Sequence, residues 1–267
     1  MRIVRFLDAR GNECTGQRVD ATSARRIDGD LFGEFEVTSE RLAIAKLLAP
    51  VEPRAILCIG LNYRQHAAET GASIPDYPVL FFKAPGTLQH PGDPILIPRV
   101  EPVEVDYECE LAFVIGRRGK NIAAADALSY IVGYTCANDV SGRRWQKTLN
   151  GKQWCRGKSF DTFCPLGPDL VTTDEIGDGS GLRIRTELNG QSMQDSTTSD
   201  MIFGVAALVA FLSESTTLMP GMVVMTGTPQ GVGFARTPPI FLKAGDRVAI
   251  EIDRIGRLEN PVENEPA

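Results

Sequence analysis

Short apolar runs punctuated by glycine and proline recur along the chain, and long amphipathic patterns are few. Such runs, bounded by turn formers, read as strands. They fall at residues 3–7, 55–59, 79–82, 95–97, 131–137, 222–225 and 246–252. The run 182–188 leads into Asn189-Gly190, a pair suited to a type I′ turn, which predicts a hairpin. Helical patterns occur at 40–49, where Ser39 is a candidate cap and Pro50 a stop, at 123–131 and at 201–212. Strands outnumber helices and do not alternate with them regularly. The pattern therefore predicts a β-rich α+β fold rather than a doubly wound sheet or a TIM barrel. Pro50 and Pro53 mark a break, which divides the chain into a small N-terminal domain, 1–53, and a main domain, 54–267.

The stretch 105–115 carries the most chemistry. At a period of two, Val105, Tyr107, Cys109, Leu111, Phe113 and Ile115 share one face, while Asp106, Glu108 and Glu110 open the other. Like charges side by side destabilise a sheet face. A solvated edge strand relieves them, and so does a hard cation such as Mg²⁺, Mn²⁺ or Ca²⁺ held by carboxylate oxygens. No His or Cys pair lies nearby, so zinc is a poorer match. A cation needs a further ligand. Asp139 is the candidate, because it follows the apolar run 131–137, where packing gives no reason for a carboxylate.

Of the two histidines, His90 lies in a Gln-His-Pro-Gly loop and suggests no role. His66 and Glu69 lie three apart between Gly60 and Gly71, on one face if the segment is helical. A carboxylate beside an imidazole orients it and raises its basicity, as a general base requires. A surface His–Glu contact on an ordinary amphipathic helix fits the same spacing. The flanking glycines predict a mobile lid, with His66 held away from the acids until a ligand arrives. The segment 225–233, Met-Thr-Gly-Thr-Pro-Gln-Gly-Val-Gly, matches neither a Walker A loop nor a dinucleotide fingerprint. Its backbone N–H groups can approach an anion, or it can be a tight turn between strands.

With 267 residues, 43% hydrophobic and 23% charged, the chain has the makings of an ordinary globular core, and disorder is a poor reading. A net charge of -6 offers nothing to a nucleic acid or to an anionic membrane surface. The longest apolar stretch, 201–212, is too short to span a bilayer. The N-terminus lacks the apolar region of a signal peptide. The six cysteines form no CxxC pair and read as reduced thiols. Together these features predict a cytoplasmic protein.

Five segments, in order, resemble the fumarylacetoacetate hydrolase family. They are Gly60-Leu61-Asn62-Tyr63 with His66 and Glu69, Asp106-Tyr107-Glu108-Cys109-Glu110-Leu111, Asn138-Asp139-Val140-Ser141-Gly142-Arg143, Gly157-Lys158-Ser159-Phe160-Asp161, and Gly227-Thr228-Pro229-Gln230-Gly231-Val232-Gly233. The likeness runs from about residue 56 to about residue 252. Segments 150–154 and 160–168 look like its domain-containing protein 2 subgroup. The resemblance implies a mixed β-roll with a small N-terminal domain, usually as a homodimer. It implies one divalent cation, Mg²⁺ first, with Mn²⁺ or Ca²⁺ also possible, at Glu108, Glu110 and Asp139, and makes Asp106 a flanking acid. His66 and Glu69 match the acid–base dyad. Arg143, Gln146 and Lys158 match groups that hold the substrate's oxo-acid end, with Lys158 also supporting the chemistry. Gly227 and Thr228 match a carboxylate contact. Many members have Ala-Arg-Asp-Leu where this chain has Gly142-Arg143-Arg144-Trp145. The activity this implies is hydrolysis of a C–C bond in a small 2,4-dioxo acid, an acylpyruvate or fumarylpyruvate. Alternatives at the same site are an oxaloacetate decarboxylase or keto–enol tautomerase, and a 2,4-dioxo-3-deoxy sugar acid hydrolase. A non-catalytic, metal-stabilised binding domain is the alternative of another class. It would need neither the His–Glu pair nor convergent Lys and Arg.

Overall fold

A computed structural model describes residues 1–266 of the chain. Among them the strands form a 12-stranded sheet, a five-stranded sheet and a two-stranded ladder, a β-rich α+β architecture as the pattern predicts. Cys109–Ile115 lies inside the large sheet and is buried along its whole length. This strand pairs antiparallel with Ile131–Asn138 on one side and Met222–Met225 on the other. Met222–Met225 runs parallel to Ala55–Gly60. These directions bring four chain segments together at one end of adjacent interior strands of the sheet. The acidic start of Cys109–Ile115 meets Asp139, just past the end of Ile131–Asn138. The glycine-rich segment after Met225 and the helix α1 (Arg64–Thr70), which follows Gly60, arrive beside them.

The two faces of the sheet bury different clusters. Leu111, Phe113 and Val224 pack with Ile184, Ile250 and Leu258 of the five-stranded sheet. Ala112, Val114 and Val223 pack with Ile3, Ile56 and Leu170. Full burial of each Leu, Ile or Phe side chain contributes about 1.5–3 kcal/mol, so this double-sided burial anchors the strand that carries the acids. The strand Arg2–Leu7 joins the same sheet by pairing with Cys164–Thr172.

Several elements differ from expectation. Residues 40–49 form no helix. They belong to the strands Phe35–Ala43 and Lys46–Leu48, which pair with Ser23–Gly29 and Arg2–Leu7. The Glu-, Leu- and Ala-rich sequence favours a helix locally, but sheet pairing overrides that weak preference. The pattern at 123–131 becomes a 3₁₀ helix over Ala124–Tyr130, and that at 201–212 becomes a helix over Val205–Ser213. The hairpin forms as expected, with Arg183–Leu188 paired to Gln191–Thr197.

The run 105–115 is not one strand. It breaks between Val105–Asp106 and Cys109–Ile115. Side chains satisfy the freed backbone groups in the gap. Asp106 Oδ1 accepts from the Tyr107 N–H at 2.8 Å, Asn138 Oδ1 from Glu108 at 3.0 Å, and Gln194 Oε1 from Cys109 at 3.0 Å. Asp106, Glu108 and Glu110 are all buried, which excludes a solvated edge strand.

Candidate active site

Four carboxylates and three cations cluster at these strand ends. Glu108, Glu110 and Asp139 each bring one oxygen within 4.8 Å of the others, and all three are buried. Lys158 ends helix α2 (Arg143–Lys147)'s successor, α3 (Trp154–Lys158), and donates from Nζ to Glu108 Oε2 at 2.7 Å and Asp139 Oδ2 at 2.6 Å. Lys83, at the end of Val79–Lys83, donates to Asp139 Oδ1 at 2.6 Å and to the Val140 carbonyl at 3.1 Å. Arg143 donates from Nε to Asp106 Oδ2 at 2.9 Å and from Nη1 to Gln146 Oε1 at 2.8 Å, and its Nη2 lies 2.6 Å from Glu108 Oε1. Asp106, the flanking acid, also accepts from the Gly233 and Phe234 N–H groups at 2.8 and 3.0 Å. A Cβ on Gly233 would collide with that carboxylate and with the Ile240 carbonyl, so only glycine permits this approach.

The acids differ in their electrostatics. Burial opposes charge on Glu108, but Lys158 and Arg143 overcome it and hold its carboxyl at about 2. Burial, with Asp139 and Glu108 close by, pushes Glu110 well above the usual carboxylate range. Its hydrogen-bond donor is the Gly227 N–H at 2.8 Å. Glu110 thus has no cationic side chain bonded to it among the described residues. Three convergent carboxylates, one of them lacking a cation, fit a hard divalent ion bound through oxygen.

His66 is buried and lines the same cavity as Glu108, Glu110, Arg143 and Lys158. Its Nδ1 lies 2.7 Å from Glu69 Oε1, and Glu69 Oε2 accepts from the Gly231 N–H at 2.9 Å. The helix is docked rather than held away as expected, since Arg64 donates to the Met201 carbonyl at 2.6 Å and Asp200 Oδ2 accepts from the Gln65 N–H at 3.0 Å. Gly60 lies against the indole of Trp154, which a Cβ there would strike.

Gln146 and Thr228 also line the cavity. Thr228 Oγ1 accepts from Gln194 Nε2 at 2.8 Å, which leaves its own hydroxyl proton free to donate. Gly227 is placed differently from the expected substrate contact, because its N–H serves Glu110. Nothing in the sequence marks Lys83 or Gln194. One is a lone lysine after an apolar run, the other a lone glutamine in a hairpin, and only the fold brings them here. The cysteines are free, and four of the six are buried.

Strand ends carrying three convergent acids, two lysines and a docked His–Glu helix lead to one enzyme family. Residues 55–263 match the Fumarylacetoacetate (FAA) hydrolase C-terminal family, and residues 1–50 match an Rv2993c-like N-terminal family. The chain belongs to the fumarylacetoacetate hydrolase family and is an enzyme of it. It is 54% identical, over 81% of its length and 68% of the relative's, to the mitochondrial oxaloacetate tautomerase fahd2 of Xenopus laevis. To the mitochondrial oxaloacetate tautomerase FAHD2A of Bos taurus it is 48% identical, over 80% and 68% of the two lengths. The crystal structure of the 2-hydroxyhepta-2,4-diene-1,7-dioate isomerase from Mycobacterium marinum matches with a TM-score of 0.85 at 38% identity, over 100% of each chain.

These relatives bear on two expectations. The oxaloacetate tautomerases fit the alternative activity expected at this site. Their mitochondrial location overturns the expectation of a cytoplasmic protein. That expectation rested on the missing apolar leader, whereas mitochondrial targeting segments are amphipathic and arginine-rich.

Proposed function

We propose that the protein catalyses keto–enol tautomerisation of a small 2-oxo acid of the oxaloacetate type. The observation that carries this reading is the His66–Glu69 pair, which opens into the cavity lined by Glu108, Glu110 and Lys158. The reaction moves one proton between C3 and the 2-oxo oxygen. It needs a base at the carbon and positive charge at the oxygen. With Glu69 accepting from Nδ1–H, His66 presents an unprotonated Nε2 to the cavity. That nitrogen takes a C3 proton, and the imidazolium returns it to the oxygen, so the enol forms with no net gain or loss of atoms. The Lys158 ammonium offsets the charge that develops on the oxygen. Arg143 and the free Thr228 hydroxyl proton hold the 1-carboxylate. Glu108, Glu110 and Asp139 would hold a divalent cation, Mg²⁺ by donor chemistry, which would supply Lewis acidity and positive charge beside the buried acids.

The test is the decay of enol-oxaloacetate, followed by its absorbance, with Mg²⁺-loaded protein. Acceleration is expected, EDTA should abolish it, and Mg²⁺ or Mn²⁺ should restore it. His66→Asn should lower kcat by roughly 10²–10⁴, the worth of a positioned base, and keep oxalate affinity. Joint loss of affinity and turnover would make His66 structural. Acetylpyruvate cleavage that outpaces tautomerisation would reinstate C–C hydrolysis. The proposed assembly is a homodimer, read by analytical ultracentrifugation.

A further inference from the structure

Three of the cations at the site, Lys83, Arg143 and Lys158, are ion-paired with buried acids. Lys147 is different. It lines the same cavity at an exposed position, four residues after Arg143 on α2, and makes no ion pair among the described residues. Its Nζ lies 3.1 Å from the centroid of the Phe234 ring, and the Arg143 guanidinium stacks on that ring at 4.4 Å. The Phe234 N–H is tied to Asp106, so the ring is a fixed shelf holding the ammonium at the cavity rim. Partial desolvation, then the nearby Arg143, lowers Lys147 to about 8, and an anion alongside would favour the charged form.

We infer that Lys147 is a specificity-determining residue that anchors the second carboxylate of a dicarboxylic 2-oxo acid, whose oxo-acid end lies at the buried carboxylates. This rests on the tautomerase reading and names its substrate class. The cavity holds about 210 Å³, below the roughly 300–1,000 Å³ of pockets for drug-sized ligands, so it suits a short diacid. Its lining includes the apolar Ile59, Leu61, Phe81 and Trp154, and among the described residues Lys147 is the one lining lysine or arginine without a carboxylate partner. Lys147 is then the charge that a distal carboxylate meets. Oxaloacetate and a diene-dioate, named for two relatives, are both diacids.

The experiment compares Mg²⁺-loaded wild type with Lys147→Met and Lys147→Arg. Enolisation is measured for oxaloacetate and for pyruvate, the latter by exchange of C3 protons in D₂O. Binding is measured in parallel for malate and lactate, inert acids that differ by the distal carboxylate. Lys147→Met should raise the oxaloacetate KM with kcat nearly kept. The ratio of kcat/KM for oxaloacetate over pyruvate should fall roughly ten- to hundredfold, the worth of one charge-assisted hydrogen bond. The variant should also lose the wild-type preference for malate over lactate, and Lys147→Arg should recover most of both. Equal losses on the two substrates, or a malate preference that survives Lys147→Met, would overturn the inference. If wild type enolises neither acid, the tautomerase reading fails, and the malate–lactate comparison still decides the role of Lys147.

Discussion

At the scale of single residues, the buried charges are held in a connected set, and each partner can be removed in turn. Asp139 is fully buried and takes one ammonium on each oxygen, Lys83 on Oδ1 and Lys158 on Oδ2. Removing one partner of a buried ion pair leaves charge uncompensated, which costs more than the pair itself contributes. Lys83→Met should therefore destabilise the protein by about 3 kcal/mol, the lower end of that range because Lys158 remains. Urea denaturation measures it, and an unchanged midpoint would mean that Lys83 is dispensable. Glu69 uses both oxygens, one to orient His66 and one to clasp Gly231. Glu69→Gln leaves the imidazole in place but less well oriented. Its kcat should fall less than that of His66→Asn, on the order of tenfold against 10²–10⁴. A larger loss than His66→Asn would show that the clasp on Gly231 matters more than the imidazole.

At the scale of elements, broken and close-packed segments aim the site. The interruption at Tyr107 and Glu108 turns the acids inward, and Gly233 lets the following loop reach Asp106. Gly233→Ala must displace backbone at the Ile240 carbonyl as well as the carboxylate. It should cost about 1–3 kcal/mol, as overpacking does, and should raise KM by moving the Phe234 shelf. Thermal unfolding and steady-state kinetics on one preparation check both effects. The turn between Glu13–Asp20 and Ser23–Gly29 makes a separate prediction. Hydrogen bonds from the Thr22 N–H and then the Ser23 and Thr22 hydroxyls hold exposed Asp20 at about 2. A carboxyl depressed in the folded state stabilises fully above its unfolded value of about 4, and that contribution disappears as pH falls through the folded value. The Thr22 amide should thus lose protection as pH falls from about 4 to about 2, and Asp20→Asn should flatten the profile. Amide hydrogen exchange reads this out.

At the scale of the whole molecule, the first fifty residues extend the main sheet. Arg2–Leu7 caps the edge of Cys164–Thr172, and Asp169 on that strand is buried with Arg18 at 2.6 Å and Arg2 at 3.3 Å. Residues 54–267 expressed alone would leave a bare strand edge and Asp169 without its two arginine partners. Aggregation or non-cooperative melting is expected of that fragment. Cooperative unfolding at the full-length temperature would instead show that 54–267 folds independently of 1–53. No helix among the described residues is long and apolar enough to cross a membrane.

The local pattern along the chain was enough to place most strands, the Asn189-Gly190 hairpin, the β-rich class and the acids Glu108, Glu110 and Asp139. Apolar runs, turn residues and unexplained carboxylates are properties of neighbouring residues, and the sequence displays them directly. It misread 40–49, because helix preference there is worth less than the pairing with Ser23–Gly29 and Arg2–Leu7. It left open whether the acids were solvated or buried, and whether the His66–Glu69 contact was a surface pair. Burial is set by what packs on the other side of the sheet, and residues as distant as Ile184 and Leu258 supply that packing. Lys83, Gln194 and Phe234 were invisible because each is ordinary in its own neighbourhood. Each acquires a role only when strands and loops from separate parts of the chain end together beside the interior strands of the sheet.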